Sequence, residues 1–195
     1  QLPGVHFAME YLMQNNRRVA GEKIKPGGEI SAAGKQVLVI GGGDTGSDCV
    51  GTAHRQKAAC VTQIEVLAQP PSCRTPAMPW PRYPMLLKTS TSHEEGGNRQ
   101  WSVLTKEFIA GADGRVSGVS CVRLDYGGKD EKGCSLMKEV PGSAFVIPAE
   151  LVLICVGFLH PEHTGLLEEL GVAFDQRGNV KTDERYQTSV KKVFS

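Results

Sequence analysis

Val5, Ala8, Met9, Leu12 and Met13 recur at i, i+3, i+4, i+7 and i+8, with Glu10, Gln14, Asn15 and Arg17 off that stripe. This is the spacing of an amphipathic helix, so a helix is predicted to open the chain. Residues 20 to 34 carry Gly21, Pro26, Gly27, Gly28 and Gly34 and read as a connection. Lys35-Gln36-Val37-Leu38-Val39-Ile40 is then a β-branched apolar run that stops at three glycines, as expected of a strand buried on both faces of a parallel sheet. Asp44 to Lys57 contains no proline and spaces Val50, Ala53 and His54 at helical intervals, and Cys60 to Leu67 reads as a second short strand.

Gln69 to Pro84 holds six prolines together with Trp80 and Tyr83. That many missing N–H groups preclude a regular element, and the aromatics favour an ordered excursion over a disordered linker. Trp101 to Ala110 and Arg115 to Tyr126 flank Asp113-Gly114, a hairpin signal. Leu151 to Val156, ending at Gly157, repeats the fully buried pattern and predicts a return to the parallel sheet. Thr164 is expected to cap a short helix that runs through Leu170 and closes at Gly171. Residues 172 to 195 are too fragmented to place, and Val193-Phe194-Ser195 ends the chain as if within a strand. The predicted fold is α/β: a Rossmann-like parallel sheet with an inserted antiparallel β segment, in three layers.

Charge excludes more than it suggests. Of 195 residues, 22 are Lys or Arg and 21 are Asp or Glu, so a net charge of +1 gives no broad field for nucleic acid or an anionic membrane. The apolar runs are far shorter than the roughly 20 residues needed to span a bilayer, and the first twenty residues do not have the form of an export signal. The six cysteines (Cys49, Cys60, Cys73, Cys121, Cys134, Cys155) form no C-x-x-C and have no His at ligand spacing. They are expected to be reduced thiols of a cytoplasmic protein, each behaving as a small buried hydrophobe, with no metal site. No catalytic constellation stands out, and His6, His54, His93, His160 and His163 are scattered singly as surface or structural residues.

Gly41-x-Gly43-x-x-Gly46 matches G-x-G-x-x-G, which is weak alone but gains weight from its place after a buried strand, at the start of a helix, inside a strand–helix–strand unit. The first glycine makes the tight turn, the second lets backbone approach a pyrophosphate, and the third lets helix and strand pack closely. Helix N–H groups then face the phosphates. Asp44 and Thr45 are candidate caps of that helix or contacts to the ligand. Glu65, near the end of the second strand, either accepts from a ribose 2′-hydroxyl, as suits NADH, or stands as a solvated strand-end charge. Arg74 is the nearest downstream cation able to meet the 2′-phosphate of NADPH. The candidate cofactor-binding set is therefore Gly41, Gly42, Gly43, Asp44, Thr45, Gly46, Glu65, Arg74 and Gly157, with NAD(P)H as cofactor.

The strings VLVIGGGDTGSDCVGTAHRQ, PWPRYP, SHEEGG, LVLICVGFLHPE and GNVKTDERYQTSVKKVF, in this order, resemble the small (beta) subunit of glutamate synthase and its fused counterparts. The resemblance covers nearly the whole chain, and the Pro/Trp segment and the SHEEGG run belong to that family rather than to dinucleotide-binding domains at large. It implies that residues 1–34 are helix and linker from a neighbouring FAD domain. Residues 35–171 would be an NAD(P)-binding domain with a Pro-rich excursion and a hairpin insert, and 172–195 a return toward the FAD domain. It further implies hydride transfer from NAD(P)H to FAD, then electron flow through iron–sulfur clusters to a large subunit that makes glutamate from glutamine and 2-oxoglutarate. On this reading the chain is a fragment, inactive alone. Glu65-Val66-Leu67 stands where many family members have paired arginines, which leaves NADH and NADPH both open. The alternative reading is a non-catalytic NAD(H) sensor or interaction module.

Overall fold

The structure, a computed structural model, describes residues 2–25, 27–129 and 135–195. Five strands form a parallel sheet: β1 (Val5–Phe7), β2 (Gln36–Ile40), β3 (Cys60–Ile64), β4 (Asn98–Gln100) and β9 (Leu151–Ile154). Their order is β1-β9-β2-β3-β4. Two helices, α1 (Ala8–Val19) and α2 (Asp44–Arg55), pack on one face. On the other face lies an antiparallel sheet of β5 (Val103–Ala110), β6 (Val116–Lys129), β7 (Ser135–Glu139) and β8 (Phe145–Pro148).

The three layers follow from the alternation of side chains along the central strands. Val37 and Val39 of β2, with Leu151 and Leu153 of β9, enter the core against Ala8, Tyr11 and Val50 of the helices. Leu38 and Val152, between them in sequence, enter the opposite core with Val103, Val119 and Ile147 of the antiparallel sheet. A one-residue slip would exchange the two sets, so burial on both faces fixes the register. The hairpin expected around Asp113-Gly114 is present as β5 and β6, paired from Val103↔Arg123 to Ala110↔Val116.

Several expectations are corrected. Val5 belongs to strand β1, paired with Val152, and the helix begins only at Ala8. Its buried face is Ala8 and Tyr11, while Met9 and Met13 point outward, Met13 being 58% exposed. Val5, the first residue of β1, is buried in the sheet and happens to fall three residues before the buried Ala8 of the helix, which mimics helical spacing. β1 is thus the edge strand of the parallel sheet, and α1 follows it directly. Cys49 and Cys121 are buried and Cys155 is half-buried, but Cys60 and Cys73 are exposed. Cys60 is the first residue of β3 and Cys73 lies in the proline-rich excursion, where no core reaches them. Cys134 lies outside the described residues.

Residues 157–195 form a second compact unit. Its helix α4 (Leu166–Leu170) starts from Gly165, at φ +85°, and not from a Thr164 cap. The turn through the left-handed region puts the Thr164 hydroxyl outside the capping position. Gly171, at φ +64°, closes the helix as expected. Within this unit the His163 ring is stacked between His160 and Phe174, at 4.5 and 4.0 Å. Among the described residues no helix is long and apolar enough to cross a membrane.

Candidate functional site

The loop from Gly41 to Gly46 lies at the carboxyl ends of β2, β3 and β9. β2 is followed by β3 on one side and flanked by β9 on the other, so the chain order changes direction here, the point at which open α/β sheets form their ligand crevice. The three glycines of the motif have different surroundings. Gly41 N–H donates to Ile64 O at 2.8 Å, and its φ is +121°. A Cβ there would overlap the Cys155 carbonyl oxygen and stand 2.8 Å from its carbon. A Cβ on Gly46 would overlap Gly41 O and lie 2.8 Å from Gln63 Nε2, so the first turn of α2 rests on the strand end only because position 46 has no side chain. Around Gly43 a Cβ would meet nothing within 4 Å. This residue is the exposed N-cap of α2, in extended conformation at φ −81° and ψ −175°.

Neither Asp44 nor Thr45 caps the helix: Gly43 holds the cap position, and no side chain bonds the end. Asp44 is the first helical residue, one place too late to reach back to the N–H groups of its own turn. The first-turn N–H groups therefore remain open to solvent or ligand.

Glu65 is held tightly at the loop. Its Oε2 accepts from Gly42 N–H at 2.5 Å and its Oε1 from Leu67 N–H at 3.0 Å. Its backbone is pinned by Glu65 N–H to Gln100 O at 2.8 Å and Val103 N–H to Glu65 O at 3.1 Å. The chain turns there, which is why β3 ends at Ile64 and not at Leu67. Each carboxylate oxygen has used one acceptor site and retains capacity for another donor.

Arg74 is directed into its own excursion: Nη1 donates to Met78 O and to Arg82 O, both at 2.8 Å. Together with the Met85 N–H to Met78 sulfur contact at 3.2 Å, this gives a segment without helix or strand its order. Gly157, exposed at φ +93°, opens the second unit. The structure thus brings Gly41–Gly46 and Glu65 together, while Arg74 is engaged by its own loop.

Sequence reasoning missed a group of side chains beneath the loop. Gln63, 3% exposed, donates from Nε2 to Gly41 O at 2.8 Å, and its Oε1 meets His93 Nε2 at 2.9 Å. His93 and Ser90 belong to a single helical turn, α3 (Thr91–Glu94), whose N-cap Ser90 accepts from His93 N–H at 3.4 Å. The one signal was a glutamine inside the apolar run Val61-Thr62-Gln63-Ile64, where a buried amide must find partners.

As chemistry, the arrangement offers backbone donors at a helix N-terminus to an anion and a fixed carboxylate to a hydroxyl. A model of the family described as pyridine nucleotide-disulphide oxidoreductase matches residues 1–195. The chain is 46% identical over 198 residues to the glutamate synthase (NADPH) small chain of Mycobacterium tuberculosis, across all of this chain and 39% of that protein. It is 41% identical over 199 residues to glutamate synthase (NADH) of Schizosaccharomyces pombe, across 98% of this chain and 9% of that protein. Among solved structures, the covalent complex of putidaredoxin reductase with putidaredoxin aligns with 83% of this chain and 32% of that chain, at 20% identity and a TM-score of 0.46. The chain therefore spans well under half of the curated relatives it matches, and it belongs to the pyridine nucleotide-disulphide oxidoreductase family.

Proposed function

We propose that this chain is the NAD(P)H-binding domain of a flavin-dependent oxidoreductase, in which hydride passes from NAD(P)H to FAD to supply electrons for glutamate synthesis from glutamine and 2-oxoglutarate. FAD, the iron–sulfur clusters and a large-subunit partner belong to the longer protein, in a cytoplasmic assembly. The observation that carries the reading is the cradle at Gly43: an open backbone approach at the start of α2, next to a pinned carboxylate. The relatives named as glutamate synthases support the same reading.

In this reading the N–H groups of Gly43 to Gly46 bind the pyrophosphate, with the positive end of the α2 dipole behind them. Gly41 and Gly46 hold the loop against the strand ends. Glu65 accepts from the adenosine ribose. A bound nicotinamide would supply the hydride; the chain's part is to orient it and needs no protein acid or base. The chain alone is expected to be colourless and to leave NAD(P)H unoxidised in an absorbance assay, and a yellow preparation with stoichiometric flavin would contradict this.

Coenzyme choice turns on Glu65. Its carboxylate can take a ribose 2′-hydroxyl on its remaining acceptor sites but repels a 2′-phosphate. NADH is therefore expected to bind about tenfold more tightly than NADPH, a difference of about 1.4 kcal/mol. Glu65→Gln should narrow the gap chiefly by improving NADPH, since removing a like charge helps the phosphate more than losing one hydrogen bond harms the ribose. Arg74→Ala should change neither affinity, because its guanidinium is spent on Met78 and Arg82. Calorimetric titration of both coenzymes into the three proteins checks this, and an NADPH preference lost in Arg74→Ala would assign the choice to Arg74.

A further inference from the structure

The polar side chains beneath the glycine loop form one connected series, and both of its ends return to the loop. Ser47 Oγ is hydrogen-bonded to Ser90 Oγ, Ser90 Oγ lies 3.0 Å from His93 Nδ1, and His93 Nε2 lies 2.9 Å from Gln63 Oε1. Gln63 Nε2 donates to Gly41 O at 2.8 Å. At the other end, Ser47 N–H donates to Gly43 O at 3.0 Å. Gln63 and Ser47 are buried, at 3% and 6% exposure. The Gln63 amide occupies the slot left by Gly46, whose absent Cβ would lie 2.8 Å from Nε2.

Donor and acceptor chemistry orders the series. Gly41 O can only accept, so the Gln63 NH₂ faces it and Oε1 faces His93. Oε1 can only accept, so His93 Nε2 carries a proton, and in a neutral ring Nδ1 is then the acceptor. Nδ1 takes the Ser90 backbone N–H at 3.2 Å and the Ser90 hydroxyl proton. With that proton committed, Ser90 Oγ accepts from His93 N–H and from the Ser47 hydroxyl. All the donors point toward Gly41, and the order requires a neutral His93.

We propose that His93 and Gln63 are positioning residues: the Ser90–His93 turn holds the Gly41 carbonyl through the Gln63 amide and so sets the glycine loop in its nucleotide-binding form. Protonating His93 places a second donor on Nδ1, displaces the Ser90 donors and breaks the order. The groups around the imidazole favour the neutral ring. Burial first, then the Arg99 guanidinium on β4, push its pKa below the ordinary histidine value. Glu95 is occupied by an ion pair with Arg55 of α2, Glu94 is exposed on the same turn, and His54 of α2 packs against Gly96 and Gly97. Because the folded-state pKa is depressed, the neutral arrangement is fully present above the ordinary histidine value and is lost as pH falls through the lower, folded one.

The inference rests on the nucleotide-binding reading above, so the test has an arm without nucleotide. In the free ¹⁵N-labelled chain, imidazole nitrogen shifts should report an Nε2–H tautomer for His93, and the Gly41–Gly43 amide signals should move as His93 titrates. His93→Gln keeps a donor to Gln63 Oε1 and should make those signals insensitive to pH; Gln63→Leu should shift them and uncouple them from His93. In the second arm, NADH affinity of the wild type should fall by up to about tenfold, the effect of one hydrogen bond, below the His93 titration, and stay level in His93→Gln. Glycine signals that ignore His93 in the free chain overturn the proposal, as does the same pH profile of NADH affinity in wild type and His93→Gln. Glycine signals that follow His93 with no NADH binding at any pH uphold the coupling and discard the nucleotide reading.

Discussion

Gly43→Val is expected to abolish NAD(P)H binding while the fold remains intact. The backbone at position 43 is extended, at φ −81°, a conformation that a β-branched residue adopts without strain. No protein atom lies within 4 Å of the Cβ that the substitution adds, so the new branch point meets no clash with the fold. That space is where a pyrophosphate would approach the N–H groups of the α2 first turn, and the valine methyls would fill it. An affinity loss of at least about a hundredfold, about 2.8 kcal/mol, is expected. Calorimetry on a variant with an unchanged urea midpoint reads it, and retained affinity would remove the loop from the nucleotide site.

Gly41→Ala should do the reverse and strike at the fold. Two costs combine: a φ of +121°, which L-residues rarely adopt, and a Cβ driven into the Cys155 carbonyl. Neither neighbour can yield easily, because Cys155 N–H is bonded to Ile40 O at 2.8 Å and Gly41 N–H to Ile64 O at 2.8 Å, which locks three strand ends together. Backbone strain and overpacking each cost about 1–3 kcal/mol, so a loss of about 2–6 kcal/mol is expected from a domain whose total stability is of order 5–15 kcal/mol. Urea denaturation measures it directly. A midpoint equal to wild type would mean that the chain at position 41 is not held between β3 and β9.

The contrast between these two glycines bears on what a sequence can disclose. The motif was visible, and so were the strands on either side of it, because Val37-Leu38-Val39 and Leu151-Val152-Leu153 are apolar at every position, which only burial on both faces requires. The Asp113-Gly114 hairpin was visible for a local reason, its turn chemistry. β4 was not, since Asn98-Arg99-Gln100 is wholly polar and is held in the sheet by its backbone ladder to Thr62, Gln63 and Ile64. The proximity of Glu65 to Gly42 was partly legible, as an acidic residue near the end of the strand after the loop. The Gln63–His93–Ser90–Ser47 series was not, because its members come from β3, α3 and α2 and meet only through tertiary packing.

The strand order also sets when the site can come into being. β9 lies between β1 and β2 and pairs with both, yet it follows β2 by more than a hundred residues in sequence. Until it arrives, β1 and β2 present unpaired edges to each other across a gap, and Gly41 lacks the Cys155 wall that closes its turn. During synthesis, the hairpin of β5 and β6 forms from neighbouring residues and has to wait on this non-local insertion, the slow kind of contact in folding. The binding loop is thus completed only once β9 has joined the sheet, although its glycines leave the ribosome well before β9 does.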